Sequence, residues 1–336
     1  MDSLYNRISD DPRIRRYALP IASTLLGIQS LWYLNRWASQ RALNNFTPNS
    51  KWDWTKELVV ITGGSSGIGA AIVSKLASKG IKIVILDLNE PTSPTPPTVY
   101  FYKTDISSSS SISSTATEIR TTHGHPTILI NNAGISTDST ILEKPLNITQ
   151  RIFAVNHFAH YLLVKEFLPN MIKHKHGHVV TIASMASFAS RGGNIDYAAS
   201  KAAVLAFHDG LSQELALFYD APMVRTTIVH PTWVATPMLQ PLLSAGLRVS
   251  TVQPEEIADA VVKQLYSGNS GALYLPNPLL LGIAAGMKGW PHWMQEWLRV
   301  TIARDVRDVA RSANLKSTRL EQDKELTAEQ RLVADL

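Results

Sequence analysis

The chain has 336 residues, and 45% of them are hydrophobic, so it can bury a large core as one big domain or two small ones. It contains no cysteine, which excludes disulfides, thiolate catalysis and cysteine-ligated metals. The net charge is +5, but the basic residues are scattered, without a long basic tract or interleaved aromatic residues. This distribution does not favour nucleic-acid binding.

The first predicted element is an apolar segment, 17–34, which has no charged residue and is flanked by arginines. Its length only just reaches the ~20 residues that a helix needs to span a bilayer. Trp32, Tyr33 and Trp37 beside arginines suit a membrane–water interface, and the segment does not end in the small-residue site of a cleaved signal peptide. We expect membrane anchoring or interfacial insertion, with a helix packed on the domain as the alternative. The segment and the polar linker after it form an N-terminal extension, 1–54.

The next predicted elements are a strand, a glycine-rich turn, a helix and a second strand. The strands cover 57–62 and 81–86, the helix covers 70–80, and the turn reads Gly63-Gly64-Ser65-Ser66-Gly67-Ile68-Gly69. In this context Gly63 permits the tight turn, Gly67 lets the backbone approach a pyrophosphate, and Gly69 allows close helix–strand packing. The helix N-terminus is suited to receive the phosphates. The pattern therefore predicts a dinucleotide site.

Asp87 closes the second predicted strand, 24 residues after Gly63. At this place a carboxylate accepts hydrogen bonds from an adenosine ribose and repels a 2′-phosphate. We therefore expect NAD(P) as the cofactor, with NAD(H) favoured over NADP(H). The alternative is a solvated carboxylate at the end of a strand.

Strands and helices keep alternating as far as residue 276. The further predicted strands are 99–103, 127–131, 178–183, 224–231 and 272–276, and the helices cover about 107–122, 149–173 and 196–217, with another opening at Pro254. This alternation predicts an α/β fold, a Rossmann-type doubly wound parallel sheet of about seven strands, in one catalytic domain over 55–276. Histidines 174, 176 and 178 lie in a turn without an adjacent carboxylate, so we do not expect a metal site.

The segment from Ser184 to Lys201 has the groups needed for proton transfer. Tyr197 and Lys201 are four residues apart and share a helix face, while Ser184 ends the preceding strand. A phenol with a pKa near ~10 is a poor base, and we expect the ammonium of Lys201 to lower the pKa of Tyr197. Tyr161 and Lys165 have the same spacing, so spacing alone proves nothing. The serine and the upstream nucleotide turn distinguish the second pair, and we interpret Tyr161 and Lys165 as a helix-surface pair.

Over 55–276 the chain resembles the short-chain dehydrogenases/reductases. Its glycine turn matches the cofactor turn of that family, and Asn131-Asn132-Ala133-Gly134 matches the motif beneath the central strand. The catalytic tetrad of the family is matched by Asn156, Ser184, Tyr197 and Lys201. The resemblance implies that the cofactor is bound by Gly63, Ser65, Ser66, Gly67, Ile68, Gly69, Asp87, Asp105, Asn132, Ala133, Gly134, Tyr197, Lys201, Pro231 and Thr236.

The resemblance also implies a role for each catalytic residue. Tyr197 exchanges a proton with the substrate oxygen, and Ser184 orients that oxygen. Lys201 lowers the pKa of the phenol and holds the nicotinamide ribose, and Asn156 supports a water in the proton relay. Asp105 contacts the adenine ring and Thr236 the carboxamide end of the cofactor. One departure is Thr232, where the family usually has glycine, and this change affects the nicotinamide side of the pocket.

Within that family the chain is most similar to the membrane-associated retinol and 17-β-hydroxysteroid dehydrogenase branch. The similarity rests on the N-terminal apolar segment, on 168–184 and on the apolar sequence after 276. It implies a lipophilic alcohol or ketone as substrate, and attachment to the endoplasmic reticulum or a lipid droplet with the catalytic domain facing the cytosol. A homodimer is a further expectation.

The C-terminal part, 277–336, combines an apolar segment with a charged helical tail. In 278–297 an apolar run too short to span a bilayer meets Trp290, Trp293 and Trp297. It fits either a second membrane contact or a lid over the substrate pocket.

The sequence as a whole leaves three alternative functions: an NAD-dependent dehydrogenase of a lipophilic alcohol, an NADPH-dependent keto-lipid reductase, or a catalytically idle nucleotide-binding membrane protein. The intact tetrad disfavours the third.

Overall fold

The computed structural model describes residues 16–17, 19–48, 52–304, 306–307 and 309. The chain divides into two compact units, Met1–Pro48 and Asn49–Leu336. The predicted charged tail after 309 lies outside the described residues, as does the first part of the N-terminal extension.

The first unit contains one long helix, α1, over Leu19–Leu43. Many of its apolar side chains are exposed, among them Leu25, Trp32 and Trp37. Within the described residues, no helix has both the length and the apolarity that crossing a membrane requires.

The second unit is built on a parallel sheet of seven strands. Their order is β3-β2-β1-β4-β5-β6-β7, and all the pairs are parallel. The strands are β1 Leu58–Thr62, β2 Lys82–Asp87, β3 Val99–Lys103, β4 Ile128–Asn131, β5 His178–Ile182, β6 Arg225–Pro231 and β7 Gly271–Leu275. The predicted fold class, a doubly wound Rossmann-type sheet, is confirmed.

Helices cover both faces of this sheet. They are α2 Gly67–Ala77, α3 Ser109–His123, α4 Leu146–Phe153, α5 Ala159–His174, α6 Ile195–Leu217, α7 Gln240–Ser244, α8 Pro254–Ser267 and α9 Pro278–Ala285, followed by a helical segment over 292–304. Because side chains alternate along a strand, Val59 and Ile61 pack with α2 and α8, whereas Val60 packs with α3, α5 and α6. Both faces of β1 are therefore buried, which explains its continuous apolar sequence.

The order of the strands places the candidate site. The chain crosses from β3, at one edge of the sheet, to β4 on the other side of β1, so the connections after β1 and β4 diverge. A crevice opens at the carboxyl ends of parallel strands where the winding reverses in this way. The glycine turn after β1 and the segment after β4 meet at this crevice.

The predicted helix over 149–173 is interrupted. The structure has α4, then a π-helical turn at Ala154–Phe158, then α5. Asn156 lies within this turn and bonds to the backbone of Ile135. The extra residue in the turn accommodates this contact, and π-turns inside helices often mark functional sites.

Candidate active site

The glycine turn is packed too tightly for side chains. Gly63 has a φ of +65°, and a Cβ on it would lie 2.8 Å from the Cα of Ala133. A Cβ on Gly69 would lie 2.0 Å from the carbonyl oxygen of Gly63. The first residue therefore shapes the turn, and the second lets the start of α2 press against it.

A second group of contacts joins this turn to the segment after β4. The Asn132 side chain donates from Nδ2 to the carbonyl oxygens of Thr62 and Gly63, each at 3.0 Å. In return, Thr62 Oγ1 accepts from the backbone N–H groups of Asn132 and Ala133 at 3.0 and 3.1 Å. These four bonds hold the two loops of the crevice at a fixed separation.

Two carboxylates lie at the end of the crevice formed by β2 and β3. Asp87 accepts from the N–H of Ser65 at 3.1 Å and from the N–H of Asn89 at 3.2 Å. Asp105 accepts from the hydroxyl and the N–H of Ser107, and these bonds hold the pKa of Asp105 below its ordinary value. Both residues line the cavity described below.

Lys201 is buried on α6. Its ammonium donates to the carbonyl oxygen of Ile182 at 2.8 Å, and it lies 5.8 Å from the ring centroid of Tyr197. Burial lowers the pKa of Lys201 to about 8. With this pKa, Lys201 begins to lose its proton just above neutral pH.

Tyr197 differs from the expectation based on the sequence. Burial raises the pKa of its phenol, while a hydrogen bond with Ser184 and the positive charge of Arg191 act in the opposite direction. The predicted lowering of this pKa by Lys201 is not observed, since desolvation of the phenol is the largest influence on it. Ser184 Oγ also accepts from the N–H of Ala186 at 3.1 Å, which fixes the serine at the end of β5.

Asn156 is fully buried behind these groups. Its Oδ1 accepts from the N–H of Ile135 at 2.8 Å, and its Nδ2 donates to the carbonyl oxygen of Ile135 and to Ser200 Oγ, each at 3.0 Å. Ser200 in turn donates to the carbonyl oxygen of Tyr197 at 2.7 Å. The side chain thus connects the segment after β4 with the turn of α6 that carries the tyrosine. Its place in a proton relay stays a prediction.

A cavity of about 780 Å³ brings most of the predicted residues together. The site residues that line it are Gly63, Ser66, Gly67, Ile68, Asp87, Asp105, Asn132, Ala133, Gly134, Ser184, Tyr197, Lys201, Pro231 and Thr236. Ser65, Gly69 and Asn156 are not among the lining residues, and they act through the contacts described above. The tight glycine cradle, the N-terminus of α2 and the two carboxylates fit a dinucleotide such as NAD(P).

The sequence did not indicate several other residues of this cavity. Arg191 and Trp233 lie on loops beside Tyr197, and only their positions near the tetrad offered a signal. His230 does not line the cavity; it is buried on β6 and bonds through Nδ1 to the carbonyl oxygen of Ser184 at 3.1 Å. Leu281 and Ala284 of α9 also line the cavity; they belong to 278–297, and the interpretation of that segment as a lid stays a prediction.

The second Tyr-x-x-x-Lys pair lies elsewhere. The side chain of Tyr161 is 45% exposed on α5, makes edge-to-face contacts with His157 and Phe207, and does not line the cavity. Of the histidines in the 174–178 turn, His176 bonds to Glu57 and His178 to Thr227.

Comparison with known proteins identifies the family. The family described as short chain dehydrogenase matches residues 57–246. Dehydrogenase RED2 of Cochliobolus heterostrophus is 43% identical over 219 residues, which are 62% of this chain and 80% of that protein. Estradiol 17-beta-dehydrogenase 11 of Homo sapiens is 33% identical over 226 residues, 65% of this chain and 74% of that protein. Retinol dehydrogenase 10-A of Danio rerio is 31% identical over 215 residues, 55% of this chain and 63% of that protein.

A solved structure agrees with these relatives at the level of the fold. The crystal structure of 3-ketoacyl-(acyl-carrier-protein) reductase from Brucella melitensis complexed with NADH has a TM-score of 0.60 and 22% identity, and it covers 66% of this chain and 98% of that chain. The retinol and estradiol dehydrogenases confirm the narrower resemblance stated from the sequence. Because the family match spans more than half of the chain, the protein belongs to the short-chain dehydrogenases/reductases and is an oxidoreductase that acts on CH–OH groups.

Proposed function

We propose that this protein interconverts a lipophilic alcohol and its ketone or aldehyde, with NAD(H) as the preferred cofactor. One observation carries the proposal: a single cavity extends from Asp87 past Tyr197 to apolar side chains of the C-terminal helices. The apolar lining beyond the tetrad comes from Met238, Leu239, Leu242, Leu281, Ala284, Met287, Leu298 and Ile302. A lining of this kind favours a substrate with a large apolar body.

The residues of the chain divide the chemistry between them. When bound, the nicotinamide supplies the hydride acceptor or donor. Tyr197 takes the hydroxyl proton of an alcohol during oxidation and returns a proton during reduction. Ser184, held by Ala186 and by the contact of His230 with its carbonyl oxygen, offers a hydroxyl to the substrate oxygen. The ammonium of Lys201 adds positive charge beneath the phenol.

The names of the relatives support the substrate class. Retinol and estradiol are lipophilic alcohols, and two of the relatives are named as dehydrogenases of these compounds. A panel of sterols, retinoids and long-chain keto-lipids, assayed in both directions with both cofactors, tests the proposal. We expect turnover of at least one apolar alcohol with NAD. Turnover confined to ketones with NADPH would support a reductase of lipid synthesis instead, and cofactor binding without turnover of any compound would support the idle protein.

Asp87 carries the cofactor preference. Neither Leu88 nor Asn89 adds a positive charge beside it, so a 2′-phosphate there would face an unopposed carboxylate. We expect Asp87→Ala to lower the ratio of kcat/KM for NAD to kcat/KM for NADP on the order of tenfold or more. Asp87→Asn separates the two effects of this change, because it removes the charge but keeps one acceptor for the N–H of Ser65. A ratio that favours NADP in the unmodified protein would contradict the assignment.

We also propose that the protein works at a lipid surface. Apolar side chains of α1 are exposed, and so are Leu279, Leu280 and Ile283 of α9. Trp293 and Trp297 follow with 72% and 67% exposure. Aromatic residues beside an apolar helix suit the membrane–water interface.

A further inference from the structure

A polar cluster lies in the substrate half of the cavity, which is otherwise largely apolar. It consists of Ser136, Asp138, Arg191 and Asn194, and all four residues line the same cavity as Ser184 and Tyr197. None of them belongs to the catalytic tetrad or to the cofactor turn. A lipophilic substrate does not by itself require such groups.

The side chains of the cluster hold one another in place. Arg191 Nη2 is paired with Asp138 Oδ1, and the guanidinium lies over the ring of Trp233, 5.7 Å from its centroid. Asn194 Nδ2 donates to Ser136 Oγ at 2.8 Å and to Asp138 Oδ1 at 3.2 Å. The cluster therefore joins the loop after β4 to the loop before α6 in one arrangement.

Burial of the cluster costs free energy. Some of its hydrogen-bond donors and acceptors also have no partner within the described part of the chain. The side chains of Arg191 and Asp138 are only 11% and 19% exposed, and removing such a pair from water is unfavourable. Arg191 has several N–H donors, of which one meets Asp138 and one meets the carbonyl oxygen of Gly192 at 3.3 Å. Both contacts to Asp138 fall on Oδ1, so Oδ2 has no hydrogen bond among the described residues. The Oδ1 of Asn194 is likewise a buried acceptor without a described partner.

The cluster is also near the reacting group. The charge of Arg191 is one of the influences that lower the pKa of Tyr197, and Arg191 lines the same cavity as the phenol. The other group that lowers the pKa of this phenol is Ser184 from the end of β5, while the ammonium of Lys201 from α6 lies 5.8 Å from the ring centroid. Because Asp138 balances the charge of Arg191, the cluster does not select an ionised substrate.

We propose that this polar cluster is a subsite for a second oxygen function of the substrate, a hydroxyl group near the carbon that is oxidised. A hydroxyl accepts from an Arg191 N–H and donates to Asp138 Oδ2 at the same time. It therefore satisfies both a donor and an acceptor of the cluster that are free among the described residues. The inference rests on the proposed function and narrows its substrate class from lipophilic alcohols to lipophilic alcohols with a second hydroxyl.

The test compares probes that differ in one hydroxyl. The probes are dodecan-2-ol and three dodecanediols whose second hydroxyl lies one, two or three carbons further along, each assayed as a substrate with NAD. We expect at least one diol to exceed dodecan-2-ol in kcat/KM on the order of tenfold or more, because a site built around hydrogen bonds rejects an analogue that lacks the hydroxyl. Arg191→Gln and Asp138→Asn should remove this preference, so that the ratio of kcat/KM for that diol to kcat/KM for dodecan-2-ol falls to about one.

Arg120→Gln is the matched control. Arg120 forms an ion pair with Glu166 at 2.8 Å, with 26% and 23% exposure, but it does not line the cavity. This variant should keep the preference for the diol. Melting temperature and fluorescence titration with NADH show which variants are folded, and Asp138→Asn keeps the shape of its side chain if Arg191→Gln is unstable.

The outcomes separate the two proposals. Oxidation of dodecan-2-ol with no gain from any second hydroxyl would overturn the subsite and leave the proposed function standing. An equal loss on all probes in Arg191→Gln, together with a shifted pH profile, would show that Arg191 acts only through Tyr197, and it would also overturn the subsite. No oxidation of any probe by the unmodified protein would overturn the subsite, and the panel of sterols, retinoids and keto-lipids then tests the proposed function separately.

Discussion

In the proposed reaction, Tyr197 must change its protonation state although its burial disfavours ionisation of the phenol. Burial raises the pKa of its phenol, and only Ser184 and Arg191 oppose that rise. A base with a high pKa is ionised in only a small fraction of molecules at neutral pH. Oxidation of an alcohol should therefore accelerate as the pH rises above neutral, since a growing fraction of Tyr197 can accept the proton.

Replacing the phenol tests its role most directly. Tyr197→Phe keeps the ring and removes the exchangeable proton, so kcat should fall by a factor on the order of 10²–10⁴. Binding of NADH, followed by fluorescence titration, should change little. Tyr161→Phe is the matched control, because Tyr161 also precedes a lysine by four residues but does not line the cavity. Comparable losses in both variants would contradict the assignment.

Lys201 links activity to stability. Its pKa in the folded protein, about 8, lies below the ordinary value of 10.5, so the unfolded chain binds this proton more tightly. The charge of Lys201 therefore opposes folding fully below about pH 8, and the penalty fades as the pH rises towards 10.5.

Lys201→Met should consequently be inactive but should melt at a higher temperature than the unmodified protein at pH 7. The difference in melting temperature should shrink as the pH rises through the range in which Lys201 loses its proton. Lys173→Met, a change at an exposed position on α5, should alter the melting temperature little at any pH. A lower melting temperature for Lys201→Met at every pH would mean that the bond to the Ile182 oxygen outweighs the cost of the buried charge.

Among the elements, the start of α2 has the least room. Gly69→Ala would place a Cβ 2.0 Å from the Gly63 oxygen and 2.6 Å from Asn132 Nδ2, so the backbone of the turn must move. We expect a loss of stability of about 1–3 kcal/mol or more, together with weaker binding of NADH. Thermal unfolding and NADH titration measure the two effects.

Gly210→Ala is the control for this prediction. Gly210 lies in the interior of α6, and a Cβ there would meet nothing within 4 Å. Alanine should stabilise the helix by about 0.4–1 kcal/mol. If both alanine variants were equally stable, the close packing of the turn would not be essential.

The strands could be predicted from the sequence because the apolar run that marks a strand is a local pattern. Val59 to Ile61 are apolar without interruption since both faces of β1 are covered, and this run alone locates the strand within a residue. The π-turn at Asn156 was not predictable from local sequence, because Asn156 bonds there to the backbone of Ile135, 21 residues away. The pairing of Arg191 with Asp138 joins loops 53 residues apart, and no local pattern encodes it.

That the candidate catalytic residues lie together was predicted from their order and spacing, but their electrostatics were not. Ser184, Tyr197 and Lys201 line one cavity, as the strand–loop–helix pattern indicated. The pKa of Tyr197 depends on how deeply the phenol is buried, which no spacing reveals.

For the whole molecule, we predict two separate contacts with a lipid surface. The first is made by 17–34, and the second by α9 with Trp290, Trp293 and Trp297. Sedimentation with membranes should be compared for the full chain, for a chain lacking 1–45, and for each with the three tryptophans changed to alanine. We expect the chain lacking 1–45 still to sediment, and the tryptophan changes to release it only in that background.

Two results would contradict this prediction in part. If the chain lacking 1–45 is fully soluble, and the full chain with the three alanines sediments as before, the second contact is wrong. If the chain lacking 1–45 sediments as strongly as the full chain, and the three alanines release both chains alike, 17–34 contributes nothing to attachment.

Helix α9 is at once a wall of the cavity and a piece of the surface. Leu281 and Ala284 line the cavity, while Leu279, Leu280 and Ile283 of the same helix are exposed. A substrate dissolved in the lipid layer would then reach the tetrad past one helix, without a passage through water. The quantity that governs saturation would be the mole fraction of substrate in the layer. Added inert lipid should therefore slow turnover even when the total amount of substrate in the sample is unchanged.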